Sequence, residues 1–362
     1  MNKIRVLICD DSALMRRSLR KIIESDPDIE VIDAARDGDD AVAKARELRP
    51  DVITMDINMP GMDGITAMQI ILNEEIAPVL MVSSLTQEGA SITFEALALG
   101  AFDYVPKPGG TVSVDMMPVA HELTKKIKAA AKRGTLSRLR RKSSDIRRLA
   151  VNRVRHSPGE YRKSSGKFGF KVVAIGVSTG GPKTLFDVLP FLPADLNATV
   201  FLVQHMPPTF TESFAKRINA SSPMDCMQAE AGMPVKPGTI YLGRGGYHLT
   251  AYKKLTGELI VRTSTRPEHT FVPSVDVMME SVLALFGSDT VGVLLTGMGN
   301  DGARTMVKIK EAGGFTIAES EESAIVFGMP AEAIHLGGAR VVAPSWQIAD
   351  EIIKAVERNS NG

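Results

Sequence analysis

Short apolar runs alternate with amphipathic stretches through most of the chain, and this pattern predicts two α/β domains. In the first third of the sequence, strands are predicted at 5–9, 30–34, 51–55, 78–83 and 102–106. The stretches between them, such as LMRRSLRKIIES, carry apolar residues at helical spacing. Because repeated strand–helix units form parallel sheets with helices on both faces, residues 1–125 are predicted to form a five-stranded α/β domain.

The same alternation resumes at residue 171. Within TAYKKLTGELIVRT the pattern is typical of a hairpin that turns at Thr256 and Gly257. We therefore predict a doubly wound, mostly parallel α/β domain over 171–358, with the hairpin as an antiparallel margin of its sheet. Its strands are predicted at 171–176, 199–204, 239–243, 259–263, 290–296, 315–318 and 340–343.

The segment between the two domains is strongly basic. Residues 125–171 contain 17 Lys or Arg against two acidic residues, although the net charge of the 362-residue chain is only +1. The later part of this segment is rich in Ser, Gly and Arg without a helical stripe, which predicts an inter-domain linker at 126–170. Nucleic-acid binding is the alternative, because clustered cations bind phosphates. No base-reading helix is evident, so no nucleic-acid partner is expected.

Composition places the chain among cytoplasmic proteins. Its two cysteines, Cys9 and Cys226, fall one in each domain and provide no disulfide framework. No apolar run approaches the roughly 18 residues that a membrane span needs. The N-terminal sequence MNKIRVLICDDS does not fit a signal peptide. We expect a cytoplasmic location and no membrane insertion.

Polar residues follow the predicted strands of the first domain. Asp10 and Asp11 follow the first strand, Asp56 the third, Ser83 the fourth and Lys107 the fifth. Three carboxylates at one sheet edge would repel each other unless a cation lay among them, and Mg²⁺ with oxygen ligands meets that need. The alternative is that the acids merely cap helices.

This arrangement resembles the receiver domain of two-component response regulators, which has a flavodoxin-like (βα)5 fold, over essentially all of residues 1–125. The resemblance implies phosphorylation that depends on Mg²⁺ and a histidine kinase as phosphodonor. It also implies a role for each matching position: Asp56 as phosphoryl acceptor, Asp10, Asp11, Asp56 and the carbonyl of Asn58 as metal contacts, Ser83 as switch hydroxyl, Tyr104 as switch aromatic and Lys107 as contact to the acyl phosphate.

In the second domain, the apolar run VVAIG ends in VSTGG, with Ser178 between glycines. A dinucleotide fingerprint needs a glycine where Ser178 stands, and a P-loop needs Gly-Lys-Ser/Thr at a different spacing. The string does match Gly-x-Ser-x-Gly, the spacing of a serine nucleophile at a strand-to-helix turn. That match is weak unless a base and an orienting acid lie nearby.

Two other predicted strand ends supply such residues. His205 directly follows the apolar run TVFLVQ, and Asp301 lies in LLTGMGNDGA, where a strand enters a glycine-rich loop. Taken alone, His205 is compatible with a structural histidine and Asp301 with a helix cap. Together with Ser178 they predict a Ser-His-Asp triad. Its chain order differs from the Ser-Asp/Glu-His order of α/β-hydrolases, which indicates another scaffold.

The motifs GVSTGG, VQHMP, RPEHTFVPSVDVMMES and LLTGMGNDGA resemble those of the chemotaxis protein-glutamate methylesterase (CheB) family over nearly all of residues 171–350. The resemblance implies that Ser178, His205 and Asp301 form the triad and that the amide of Met298 lies in the oxyanion hole. Thr179, at the start of the following helix, is expected to add polarisation.

The same resemblance implies a function. The enzyme would demethylate glutamate methyl esters of chemoreceptors and also deamidate receptor glutamines, with the chemotaxis histidine kinase CheA as phosphodonor and no cofactor for the ester chemistry. The unphosphorylated receiver is expected to dock over the Ser178 cleft. Phosphorylation of Asp56 would draw in Ser83 and let Tyr104 turn inward, which would release the cleft.

Two other functions fit parts of the sequence. A response regulator with a non-catalytic or nucleic-acid-binding output would use the basic segment, although such outputs are helical and compact, whereas 171–362 has an α/β pattern with glycine-rich loops. A general serine esterase fused to a receiver would share the triad. Turnover of methylated chemoreceptor compared with a small ester, with a DNA-binding control, would separate the three.

Overall fold

The computed structural model describes residues 3–84, 86–107, 116–141 and 167–358. The chain divides into two compact units, Met1–Val151 and Asn152–Gly362, and each is described by itself below. Among the described residues, no helix is both long and apolar enough to cross a membrane.

The described part of the first unit is a parallel sheet with five strands in the order β2-β1-β3-β4-β5 and five helices. The strands are Ile4–Cys9 (β1), Ile29–Ala35 (β2), Val52–Asp56 (β3), Val79–Ser83 (β4) and Asp103–Pro106 (β5). The helices are Ala13–Ile23 (α1), Gly38–Leu48 (α2), Gly64–Asn73 (α3), Gln87–Leu99 (α4) and Met116–Arg141 (α5). This order is that of a flavodoxin-like receiver fold, and it confirms the predicted fold class.

Side-chain caps explain where the helices that follow the strands begin. Ser12, Asp37, Asp63 and Thr86 each precede a helix in extended backbone and accept a hydrogen bond from an amide in its first turn. The two central strands, β3 and β4, are buried along their whole length, as expected for a parallel sheet covered on both faces.

Helix α5 runs past the predicted domain boundary at residue 125. Ile127 and Ala130 are fully buried, and the ammonium group of Lys126 is 3.3 Å from the carboxylate of buried Asp103 on β5. A buried charge pair of this kind needs both partners within one folded unit. The first unit therefore extends beyond 125, and the remainder of the predicted linker, 142–166, lies outside the described residues.

The described part of the second unit contains nine strands and six helices. The strands are Lys171–Val177 (β6), Ala198–Gln204 (β7), Asp225–Gln228 (β8), Thr239–Leu242 (β9), His248–Lys253 (β10), Leu259–Ser264 (β11), Thr290–Leu294 (β12), Phe315–Glu319 (β13) and Val341–Ala343 (β14). The helices are Gly181–Val188 (α6), Pro208–Ser221 (α7), Val275–Phe286 (α8), Ala303–Glu311 (α9), Met329–His335 (α10) and Ser345–Glu357 (α11).

Seven of these strands form one sheet in the order β14-β13-β12-β6-β7-β9-β8, and all its pairs are parallel. The predicted hairpin exists, but β10 and β11 pair only with each other in the described sheets, so the expected antiparallel margin of the large sheet is wrong. Leu249 and Val261 of the hairpin are fully buried in the core that also includes Met278 and Met279 of α8. Packing against this helix takes the place of pairing with the sheet.

The chain order of the large sheet reverses at β6. The chain proceeds from β6 to its neighbour β7 on one side, and later returns to place β12 on the other side. In open α/β sheets, ligands bind beyond the carboxyl ends of strands at such a switch point. Three loops therefore meet at one edge: those after β6, β7 and β12.

Candidate active site and phosphorylation site

The acidic residues of the first unit come together as predicted at the carboxyl edge of its sheet. Carboxylate oxygens of Asp10, Asp11 and Asp56 all lie within 4.8 Å of one another. The ammonium group of Lys107 is 2.8 Å from Asp56 Oδ2 and 3.0 Å from Asp10 Oδ2. Apart from that ion pair, the buried Asp10 Oδ2 has no hydrogen-bond partner among the described residues. Three carboxylates with hard oxygen donors at one sheet edge, two of them buried, fit a divalent cation such as Mg²⁺.

Burial and charge act in opposite directions on Asp56. Burial raises the pKa of Asp56, and Lys107 opposes the rise through its hydrogen bond and its charge. For Lys107, burial favours the neutral amine, but the hydrogen bonds to Asp56 and Asp10 outweigh burial and raise its pKa. The lysine is therefore held as a cation beside the carboxylate that it contacts.

The remaining predicted receiver residues surround this group. Ser83 is buried at the end of β4, and its hydroxyl oxygen lies 2.7 Å from Thr93 Oγ1 on α4. Asn58 is exposed in the loop after β3, two positions beyond Asp56. The loop position suits a carbonyl contact to a metal ion at the sheet edge.

An inward turn after phosphorylation implies that the Tyr104 side chain lies outward beforehand, and the structure differs from that expectation. Its side chain is already buried, with 4% exposed. The ammonium group of Lys126 lies 5.1 Å from the centre of its ring and donates to its backbone carbonyl at 2.7 Å. A cation over the ring face favours this buried position. The ring is thus already buried in this structure, and the switch role of Tyr104 stays a prediction.

In the second unit, Ser178 stands at the turn between β6 and α6. The turn needs glycine at Gly180, where φ is +77° and a Cβ would lie 2.4 Å from Ile325 Cβ. The side-chain amide of Gln204 donates to the carbonyl of Ser178 at 2.9 Å. The serine is therefore held at a sharp strand-to-helix turn, which is the location that a nucleophile-elbow spacing predicts.

His205 and Asp301, which come from different strand ends, are in direct contact. His205 Nε2 lies 2.8 Å from Asp301 Oδ2. Because an ionised carboxylate only accepts hydrogen bonds, Nε2 must carry the proton and Nδ1 the lone pair. His205 Nδ1 is buried and has no hydrogen-bond partner among the described residues. An imidazole held in this way can accept a proton through Nδ1.

Asp301 is surrounded by donors. Its Oδ2 accepts the amide of Val275 at 2.8 Å, and its Oδ1 accepts the hydroxyl of Ser274 at 2.9 Å and the amide of Asp276 at 3.0 Å. Burial alone would raise the pKa of Asp301, but the hydrogen bond and charge of His205 and the amides of α8 outweigh it and lower the pKa to about 2. The carboxylate thus stays ionised at neutral pH although it is 3% exposed.

The loop after β12 comes close to Ser178. A Cβ built on Gly297 would lie 2.3 Å from Met329 Sδ and 2.9 Å from Ser178 Cβ, so glycine is needed at this close approach. Met298, the predicted oxyanion residue, directly follows this glycine and is half-buried. Thr179 is buried, and its carbonyl accepts the hydroxyl of Thr296 at 2.9 Å. Both predicted oxyanion residues therefore adjoin the serine, one along the chain and one across the sheet edge.

The sequence analysis missed three side chains at this site. Phe271 stacks on His205, with ring centres 4.3 Å apart and an angle of 9° between the rings. Ser274 contacts Asp301, and buried His248 contacts the backbone of Ser274. Phe271 and Ser274 lie within the motif RPEHTFVPSVDVMMES, whose individual residues were given no role, and His248 lies outside it. The apolar spacing of this segment gave no sign that its polar residues turn inward.

Two family models match the chain. One described as CheB methylesterase matches residues 173–352, and one described as response regulator receiver domain matches residues 6–114. The protein-glutamate methylesterase/protein-glutamine glutaminase 3 of Syntrophomonas wolfei is 58% identical over 98% of this chain and 100% of its own. The chain belongs to the CheB methylesterase family. The family relationship extends to Archaeoglobus fulgidus, whose protein-glutamate methylesterase/protein-glutamine glutaminase is 44% identical over 99% of each chain.

A solved structure supports the same relationship for the second unit. The crystal structure of the CheB methylesterase catalytic domain of Thermotoga maritima is similar to this chain with a TM-score of 0.50 and 38% identity. The match covers 51% of this chain and 98% of that one. The second unit thus has the fold of a CheB catalytic domain.

The close approach of Gly297 to Ser178 gives a testable prediction. In Gly297→Ala, the new methyl group would meet Met329 Sδ at 2.3 Å and Ser178 Cβ at 2.9 Å, so Met329, Ser178 or the Gly297 loop must shift. A misplacement of 1 Å at a reacting group costs about 100-fold in rate. We expect a comparable loss of kcat for methanol release from methylated receptor, with the melting temperature measured in parallel. In Gly243→Ala the added Cβ meets only ordinary contacts of 3.4 Å or more, so this control should retain activity. Normal turnover by Gly297→Ala would contradict the approach described here.

Proposed function

We propose that this protein is a phosphorylation-activated hydrolase that removes methyl groups from glutamate methyl esters of chemoreceptors and so serves adaptation in chemotaxis. One observation carries the esterase assignment. The His205 ring is fixed through Nε2 by the ionised Asp301, while its buried Nδ1 has no hydrogen-bond partner among the described residues. The amide of His205 donates to the carbonyl of Val177, the residue before Ser178, at 3.2 Å. The relatives named as protein-glutamate methylesterases support the ester class.

In the first step, Ser178 Oγ forms a bond to the side-chain carbonyl carbon of the methyl ester, and its proton passes to His205 Nδ1. Asp301 holds the ring in the correct tautomer and stabilises the imidazolium that forms. The bond between the former carbonyl carbon and the methoxy oxygen then breaks. The methoxy oxygen takes the proton from His205, and methanol leaves. A glutamyl ester of Ser178 remains.

In the second step, water attacks the same carbonyl carbon and gives a proton to His205 Nδ1. The bond to Ser178 Oγ breaks, the serine regains its proton from the imidazolium, and a glutamate carboxylate is released. With a glutamine side chain, the same sequence expels ammonia in place of methanol. The relatives' second name, protein-glutamine glutaminase, supports this deamidation as a further activity of the site.

Negative charge on the carbonyl oxygen needs preorganised donors in both steps. We propose the amide of Met298 as one donor, because Gly297 brings its loop within close reach of Ser178. Thr179 opens the turn that leads into α6, whose amino end favours negative charge. Backbone bonds hold both loops before the charge develops: the amide of Gly297 donates to the carbonyl of Val326 at 3.0 Å, and the amide of Ser178 to the carbonyl of Thr296 at 3.0 Å.

We propose that the first unit controls this activity through Asp56. A carboxylate oxygen of Asp56 would attack the phosphorus of a phosphohistidine, such as that of the kinase CheA, and the phosphorus–nitrogen bond would break. Lys107 is placed to neutralise the oxygens of the resulting acyl phosphate. Mg²⁺ held by Asp10, Asp11, Asp56 and the carbonyl of Asn58 would supply further charge neutralisation. The expected setting is the cytoplasm, where kinase and receptor tails are accessible.

The rival function, a nucleic-acid-binding output, rests on the basic segment. Cations at the described ends of this segment already have partners within each unit. Lys126 pairs with Asp103, Lys128 contacts two aspartates, and Lys171 Nζ donates to the carbonyl of Ala355 at 2.9 Å. The charge free for phosphate binding is therefore smaller than the residue count implies, which favours the esterase.

The triad predicts distinct losses of activity. Ser178→Ala and His205→Ala should each lower turnover of methylated receptor by about 10⁴-fold or more, because the members act as a unit. Asp301→Asn should be milder, since it misorients the imidazole without removing the base. His335→Ala, at the exposed end of α10, is the control and should keep full activity. Near-normal methanol release by Ser178→Ala would refute the assignment.

Phosphorylation should require both the acidic group and the metal. Radiolabelled acetyl phosphate or a cognate histidine kinase should label the protein only with Mg²⁺ present, and Asp56→Asn should abolish labelling. Asp51 precedes the same strand at its opposite end, where it accepts the amide of Arg5, so Asp51→Asn is the matched control. Label that persists in Asp56→Asn, or in the presence of chelator, would show that another residue is modified.

Removal of residues 1–140 tests the direction of control. If the unphosphorylated receiver restrains the esterase, the fragment should demethylate receptors faster than the unphosphorylated full-length protein, about tenfold for each 1.4 kcal/mol of restraint. Phosphorylated full-length protein should approach the rate of the fragment. A fragment slower than the unphosphorylated protein would instead indicate that the receiver contributes directly to catalysis.

A further inference from the structure

A buried chain of hydrogen bonds continues beyond the Asp301–His205 pair. The hydroxyl of Ser274 donates to Asp301 Oδ1 at 2.9 Å, and the amide of Ser274 donates to Nδ1 of His248 at 3.1 Å. Ser274 and His248 are both fully buried. A fully buried hydroxyl that donates to an ionised carboxylate forms a stronger bond than one between neutral groups.

The hydroxyl of Ser274 has two partners with different roles. It is the N-cap of α8 and accepts the amide of Val277 at 3.3 Å, while its proton is directed to Asp301. The bond to the carboxylate, at 2.9 Å, is the shorter of the two. The hydroxyl thus links the start of α8 to the carboxylate that orients His205.

The backbone of Ser274 is fixed independently of this hydroxyl. His248 Nε2 lies 2.9 Å from the carbonyl oxygen of Pro267, which can only accept, so Nε2 carries the proton and Nδ1 accepts from Ser274. Burial lowers the pKa of His248, although the carbonyl of Pro267 and the charge of Asp301 oppose this, and the ring stays neutral. The bond from the Ser274 amide to His248 Nδ1 therefore holds the backbone of Ser274 in place whether or not the serine side chain is changed.

We propose that Ser274 is a positioning residue of the esterase reaction, whose hydroxyl fixes the Asp301 carboxylate so that Asp301 orients His205 for proton transfer from Ser178. The proposal rests on the proposed triad. Three donors other than His205 hold Asp301, and two of them are rigid amides of α8. Ser274 supplies the only side-chain donor among these three, so it can be removed without changing the backbone.

The test compares two serines that make the same kind of bond. Ser345 is 3% exposed, and its hydroxyl donates to Asp187 Oδ2 at 2.9 Å, as Ser274 donates to Asp301. We expect Ser274→Ala in the full-length phosphorylated protein to lower kcat for receptor demethylation about tenfold with KM unchanged, since bonds to charged groups are of that strength. Ser274→Thr, which keeps the hydroxyl, should recover most of kcat. Ser345→Ala should keep kcat and lose only melting temperature.

A second measurement does not depend on turnover. The proton between His205 Nε2 and Asp301 should give a downfield NMR resonance in a Ser178→Ala background, and Ser274→Ala should shift it whereas Ser345→Ala should not. Wild-type kcat in folded Ser274→Ala, equal losses in the two alanine variants, or an unmoved resonance would each overturn the proposal. If Ser178→Ala itself retains activity, the triad fails first, so the two failures are distinguishable.

Discussion

The parallel pairing of β6 with both β7 and β12 is the constraint on which the esterase site depends. The ladder continues past the strand ends into the functional loops: the amide of Ser178 donates to the carbonyl of Thr296 at 3.0 Å, and the amide of His205 to that of Val177 at 3.2 Å. Backbone bonds therefore fix the starting points of Ser178 and His205, and tie the loop that leads to Asp301 to the serine, before any side chain contributes. A serine, a base and an acid can then meet through short loops without strain in the strands.

Two buried aspartates in this chain show how partners decide the properties of a carboxylate. Asp56 meets one lysine and a neighbouring carboxylate, and burial leaves its pKa raised. Asp301 meets an imidazole and several hydrogen-bond donors, which outweigh burial, and its pKa falls to about 2. The first environment leaves the charge incompletely compensated, which suits a group that is to be phosphorylated and to hold a cation. The second keeps the charge fixed, which suits a group that must stay ionised while a proton moves on His205.

Apolar periodicity predicted the two sheets because their strands are buried on both faces and carry continuous apolar runs, and the strand ends then located Asp56, Lys107, Ser178 and His205. The edge strand Asp225–Gln228 was missed because its sequence, DCMQ, has neither an apolar run nor a clear alternation. The continuation of α5 past residue 125 was hidden by its lysines, since Lys126 is buried through partners that the local sequence does not reveal, among them Asp103 and the carbonyl of Tyr104. Ser274 and His248 were missed for a related reason: a polar side chain that is satisfied by tertiary contacts has no local signature.

The chain order of the triad follows from the strand order. Along the chain, the nucleophile strand β6 comes first, and its neighbour β7, which precedes His205, comes next. Strand β12, which pairs with β6 on the other side, comes much later and precedes Asp301. An α/β-hydrolase places its acid before its histidine because its strands add in a different order. The chemistry requires only that the imidazole lie between a hydroxyl and a carboxylate, and a parallel sheet meets that requirement wherever adjacent strand ends carry them. Geometry at the sheet edge, rather than sequence order, is therefore what the two scaffolds share.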